Sequence, residues 1–173
     1  MPAAAPASSG VEDTLRPSDL PAVLATDPET LLARGRARGV ESGTPYAGSL
    51  YPPEAWALLQ AGAVTLVDVR TAEELKFVGR VPDSQHVAWQ TGPALIKNPR
   101  FLRELENKGG RDAVLVLLCR SGKRSAAAAE AATAAGFSQV FNVLEGFEGD
   151  LDAQQQRGES GGWRHWGLPW VQD

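Results

Sequence analysis

The chain has 173 residues, 43% of them hydrophobic, and a formal net charge of -4; that is room for one ordinary domain plus an extension and excludes two large domains. A single cysteine, Cys119, excludes an intramolecular disulfide framework, and with only His86 and His165 beside it a dedicated zinc site is not expected. The mildly acidic balance speaks against a nucleic-acid partner, and no stretch approaches the ~20 apolar residues of a membrane span or shows the basic start and apolar run of a secretory signal, so the expectation is a soluble, cytoplasmic protein whose lone thiol stays reduced.

Residues 1–44 carry Pro2, Pro6, Pro17, Pro21 and Pro28, little periodic apolar pattern, and Gly35, Gly39 and Gly43. This composition predicts a flexible, poorly structured N-terminal extension with one short helix over Pro28–Ala37, capped by Asp27. Its basic triplet Arg34, Arg36, Arg38 is a candidate partner contact, diluted by Glu29 and Glu41. From Tyr46 the pattern changes. Pro52-Pro53-Glu54 opens a helix that ends near Gly62, and Val64–Val69 is a short apolar run of the kind buried inside a parallel sheet. Thr71 followed by Glu74 has capping-box spacing and opens a helix to Val78, ended by Gly79 and Pro82. His86–Trp89 reads as a short strand, Asn98–Glu106 as a helix capped by Asn98, Val114–Leu118 as the central strand, Ser125–Ala135 as a helix closed by Gly136, and Gln139–Val143 as another strand. Alternating apolar runs and helical segments predict a small parallel α/β sheet with helices on both faces over residues 45–150. Residues 151–173 form a tail packed on that domain, and Trp163, Trp166 and Trp170 are expected to pin it there.

The central strand delivers Cys119 to the sheet's carboxyl edge, directly before the cationic stretch Arg120-Ser121-Gly122-Lys123-Arg124 and the helix beginning at Ser125. Loop N–H groups turned inward, the positive end of the following helix and three nearby cations make this the layout of an activated thiolate. A cysteine kept only for packing has no use for such a loop. Within it, Arg120 and Arg124 are candidates for gripping an oxyanion, Lys123 adds field as a flexible point charge, and Gly122 permits a positive φ or a close backbone approach. Ser121 and Ser125 are candidate hydroxyl donors to the sulfur, and Ser125 reads equally well as a helix cap. The basic patch suits one small anion.

These residues resemble the rhodanese family of single-domain sulfurtransferases. The likeness rests on Leu66-Val67-Asp68-Val69-Arg70 with Glu73 and Glu74, on Gly79-Arg80-Val81-Pro82 leading to His86-Val87, on Cys119 through Ser125, and on Asn142-Val143-Leu144-Glu145-Gly146-Phe147. The tail motifs Gly162-Trp163-Arg164 and Gly167-Leu168-Pro169-Trp170 look like those of small bacterial rhodanese-like proteins. One departure is Arg80 where the family usually has histidine, and the pair after Pro82 is the polar Asp83-Ser84.

What the resemblance implies is transfer of a sulfane sulfur through a Cys119 persulfide. The donor is a small sulfur-containing anion such as thiosulfate, the acceptor a thiol, cyanide or a protein, and no metal or cofactor is called for. Asp68 and Arg70 are expected to support the loop structurally, with Arg70 paired to Glu73 or Glu74. Glu145-Gly146-Phe147 is expected at the pocket mouth, and His86 is read as a strand residue rather than a base. Two rivals stand beside this reading: a rhodanese-like binding or thiol-sensing module without turnover, and an arsenate reductase or phosphatase-like oxyanion enzyme. Against the second, only four residues separate Cys119 from Arg124, where the phosphatase pattern has five between cysteine and arginine.

Overall fold

The computed structural model describes residues 15–173; Pro2 and Pro6 of the expected arm lie outside the described residues. Five parallel strands form the main sheet in the order β1-β7-β6-β2-β3, with β1 at Gly48–Leu50, β2 at Thr65–Asp68, β3 at Gln85–His86, β6 at Val114–Leu118 and β7 at Gln139–Val143. A small antiparallel hairpin, β4 at Gln90–Thr91 and β5 at Ile96–Lys97, stands apart from it. Strand β6 is central, paired on both edges, which is why it reads as an unbroken apolar run.

Side chains alternate along β6 between two cores. Val116 and Leu118 face Leu31, Leu50, Leu58, Phe141 and Trp163, while Leu115 and Leu117 face Phe101, Leu105, Ala128, Ala129 and Ala132. The second group comes from α5 (Phe101–Gly109) and α6 (Lys123–Ala134), the first in part from α2 (Pro28–Ser42) and α3 (Pro52–Gln60). Helices therefore cover both faces. The alanine-rich stretch of α6 serves two ends at once, since alanine is the strongest helix former and its small side chain lets α6 lie close against the sheet.

The N-terminal segment departs from its expectation. From Pro17 the described chain is helical: a 3-10 turn at Pro17–Asp19, α1 at Leu20–Leu24, and α2, which starts at Pro28 under the Asp27 cap as expected but runs on to Ser42 rather than Ala37. Gly35 and Gly39 do not loosen this helix. They let it lie directly on β1, where a Cβ at Gly35 would come within 2.8 Å of Leu50 Cδ2 and one at Gly39 within 2.9 Å of Gly48 Cα. The basic triplet is likewise turned inward in part. Arg38 is buried and grips Glu54 of α3 with both terminal nitrogens at 2.6 and 3.0 Å, and Arg36 reaches Gln139 of β7.

Two boundaries also shift. α5 begins at Phe101, because Asn98 closes a turn instead: its side-chain oxygen accepts from Arg100 N and its amide donates to Ala88 O. α6 begins at Lys123 with Gly122 as its N-cap, which places Ser125 inside the first turn. The α4 helix, Ala72–Val78, has its capping box between Thr71 and Glu74 as the spacing predicts. Among the described residues no helix is long and apolar enough to cross a membrane.

Candidate active site

Strand β6 ends at Leu118 and presents Cys119 at the carboxyl edge of the sheet, between β2 and β7. The thiol is 1% exposed. Gly122, at φ +98, turns its N–H onto Cys119 Sγ at 3.1 Å, a conformation that a side chain would strain. From the first turn of α6 the buried Ser125 hydroxyl reaches the same sulfur at 3.1 Å. With the amino end of a twelve-residue helix behind it, the Gly122 N–H stabilises negative charge at the sulfur. Of the two serines singled out in the sequence, Ser125 rather than Ser121 lies against the sulfur; it stands inside the first turn rather than at the cap, and its hydroxyl donates to Asn142 Oδ1 at 2.5 Å.

Asn142 of β7 completes the arrangement and was not singled out as a site residue. Its amide donates to Gly122 O at 3.1 Å while its oxygen lies 2.5 Å from Ser125 Oγ, so it orients both groups that touch the sulfur. The signal was present: an asparagine inside the apolar run Val140–Val143, buried in the fold.

The back of the loop is clamped. Phe147 N donates to Cys119 O at 2.8 Å, and Glu148 N and Gly149 N donate to Arg120 O at 2.9 and 3.2 Å. Gly146 sits against the same peptides at φ +68, where a Cβ would lie 2.5 Å from Arg120 C and O and Ser121 N. Glu145-Gly146-Phe147 thus stands behind the loop, with Phe147 fully buried, rather than at the pocket mouth. The tail holds this clamp in turn. Glu145 Oε1 accepts from Gly162 N and from Trp166 Nε1, Trp163 N donates to Gly146 O, and Trp163 packs edge-on against Trp56.

Asp68 and Arg70 lie wholly inside. Asp68 accepts from the Arg70 backbone N at 3.0 Å and from its guanidinium at 2.7 to 3.1 Å, and Arg70 also donates to Gly79 O while its guanidinium lies over the Phe147 ring. Arg70 therefore pairs with Asp68, not with Glu73 or Glu74. His86 Nε2 is 2.7 Å from Arg70 O and belongs to the same scaffold. At the departure from the usual histidine, the Arg80 backbone pairs with Val171 and its side chain meets Asp173, tying the tail to that loop.

Glu74 instead meets Arg124 across fifty residues of sequence, in a two-pronged pair at 2.7 and 2.9 Å. Burial pushes the Glu74 carboxyl up, but the hydrogen bonds and charge of Arg124 and the Thr71 N–H together hold it below the usual carboxylate range. The same hydrogen bonding raises Arg124 above its ordinary value, with burial opposing. Both are charged at neutral pH. Arg120 and Arg124 line a cavity of about 340 Å³ together with Thr71, Glu73, Glu74, Gly92, Pro93 and Leu95, while Lys123 points to solvent. The hairpin residues Gly92, Pro93 and Leu95 carried no signal in the sequence, since nothing local said that the β4–β5 turn would reach the cysteine loop.

A family model described as the rhodanese-like domain matches residues 51–153. The chain belongs to the rhodanese-like family. Among solved structures, Rv0390 from M. tuberculosis is similar at 46% identity with a TM-score of 0.66, over 74% of this chain and 99% of that one. An uncharacterized protein of Rickettsia rickettsii is 36% identical over 61% of this chain and 80% of its own length. The thiosulfate sulfurtransferase GlpE of Pseudomonas savastanoi is 35% identical over 56% of this chain and 80% of its own length. The rhodanese-like fold, with its parallel sheet and cysteine loop between central strand and helix, is the architecture described above.

Proposed function

We propose that the protein is a sulfurtransferase that moves a sulfane sulfur from thiosulfate or a related donor to a thiophilic acceptor through a persulfide on Cys119. The observation that carries this is the Gly122 N–H donating to Cys119 Sγ at 3.1 Å at the head of α6, with the Ser125 Oγ seated at the same distance beside the sulfur. In the first half-reaction the Cys119 thiolate attacks the outer sulfur of thiosulfate; the S–S bond of the donor breaks and sulfite leaves with the electron pair. In the second, an acceptor thiolate or cyanide attacks the outer sulfur of the persulfide, and the Cys119 thiolate returns. One difficult transfer becomes two easier ones.

Arg120 and Arg124 line the cavity and take the oxyanion end of the donor, and Lys123 adds field from outside. Arg120 is exposed and makes no ion pair among the described residues, so it does the greater part of this gripping. Asp68 and Arg70 hold the scaffold beneath. The tight loop, with four residues between Cys119 and Arg124, suits a sulfur atom better than a phosphate or arsenate group. The GlpE relative supports the sulfurtransferase reading by its name, and a reducing compartment such as the cytoplasm would keep the thiol available.

Intact mass after incubation with thiosulfate tests the reading. One added sulfur is expected, lost with cyanide or dithiothreitol and absent in Cys119→Ser. No adduct from thiosulfate or from an alkyl persulfide would replace the enzyme by a binding or thiol-sensing module.

A further inference from the structure

The cavity wall carries Arg120 and Arg124 against Glu73 and Glu74. Two charges of each sign make it formally neutral, in a loop whose own composition is strongly cationic. One half of that balance is fixed. Arg124 commits both terminal nitrogens to Glu74 at 2.7 and 2.9 Å, and the Glu74 carboxylate is itself tethered by the Thr71 hydroxyl at 3.2 Å. It cannot swing aside without opening the cap of α4. A donor entering this cavity therefore meets one guanidinium without a carboxylate partner, Arg120, and a second, Arg124, whose attraction is offset by the Glu74 carboxylate bound to it.

We infer that Glu74 determines the donor class: its fixed charge disfavours the dianion thiosulfate and biases the site toward low-molecular-weight alkyl persulfides bearing a single net negative charge. The inference rests on the sulfurtransferase reading and deepens it. In an alkyl persulfide such as cysteine persulfide, the ammonium and carboxylate cancel and only the terminal sulfur is anionic. Transfer then joins that outer sulfur to Cys119 and releases cysteine, whose thiolate takes up a proton. The repulsion from Glu74 acts on one charge instead of two. At a separation of about 6 Å and an effective dielectric between roughly 40 and 80, each donor charge is worth about three- to tenfold in binding. That Glu74 is held ionised by Arg124 and the Thr71 N–H despite its burial supports the same conclusion.

The test is a ratio. The specificity constant for Cys119 persulfide formation is measured with thiosulfate and with cysteine persulfide, in wild type, Glu74→Gln and Arg124→Gln. Glutamine keeps the capping box while removing the charge, so Glu74→Gln is expected to raise the thiosulfate-to-persulfide ratio about three- to tenfold. Arg124→Gln leaves the carboxylate bare and is expected to lower the ratio by a comparable factor. A defect that is merely structural scales both donors together and leaves the ratio where it was. Either folded variant holding the ratio within about twofold, or moving it the other way, overturns the inference. If the wild type takes sulfur from neither donor, the sulfurtransferase reading falls, and this inference with it; a wild type that takes sulfur while the ratio stays put sinks the inference alone.

Discussion

Two arginine–carboxylate pairs lie near the cysteine loop, and they differ in burial. Asp68–Arg70 is 0% exposed on both sides, whereas Glu74–Arg124 is 20% and 17% exposed at the wall of the cavity. The first has both acceptor oxygens occupied by Arg70, whose Nε and Nη2 are spent on Asp68 and Gly79 O and whose guanidinium lies over the Phe147 ring, while its Nη1 is buried without a hydrogen-bond partner. Nothing of it faces a ligand. The second has solvent and cavity on one side, so its charges are felt by whatever enters. Chemically alike, the pairs differ in what they act on: the enclosed one sets where the backbone goes, and the open one sets the potential inside the cavity.

The largest effect should come from the enclosed pair. Asp68→Ala leaves the Arg70 charge buried without a counter-ion and is expected to lower stability by about 3–5 kcal/mol, read from urea unfolding. A cost near zero would mean that Arg70 finds water or another partner, and the contrast between the pairs would dissolve. Arg124→Ala should behave in the opposite way. Its pair is partly solvated, so stability should fall by no more than about 1 kcal/mol, while sulfur uptake from thiosulfate drops markedly; uptake equal to wild type would refute its place in donor binding.

The smallest effect is on the pH dependence of stability. The folded state holds the Glu74 carboxyl below its ordinary value, so its contribution is fully present above the unfolded carboxylate range near ~4.3 and is lost as pH falls through the lowered folded value. Thermal unfolding of wild type and Glu74→Gln should therefore differ at pH 6 to 7 and converge in acid. A gap that persists unchanged below about pH 3 would show that the effect does not come from the ionised carboxylate.

Much of the fold was legible because its determinants are local. The run Val114–Leu118, the Thr71–Glu74 box and the Asp27 cap each act within a few residues, and each stands in the structure where its pattern placed it. The segment before residue 44 misled for an equally physical reason. Gly35 and Gly39 read as flexible when β1 is not in view, and become a close-packing surface once it is. Asn98 was shifted in role by Ala88 O, and the choice between the two readings of Ser125 was made by partners from elsewhere, Asn142 and the sulfur.

From sequence alone the candidate nucleophile, the cationic loop and the α/β frame could be written down, since an apolar strand, a glycine turn and an alanine-rich helix follow one another along a single stretch of chain. Only the tertiary structure decided which carboxylate each arginine holds, that Asn142 orients the groups that touch the sulfur and that the tail braces the loop from behind. Those choices depend on distances between segments as far as 93 residues apart. Charge pairing is indifferent to chain order, so the packing of the sheet, and not the spacing of residues, selects the partners.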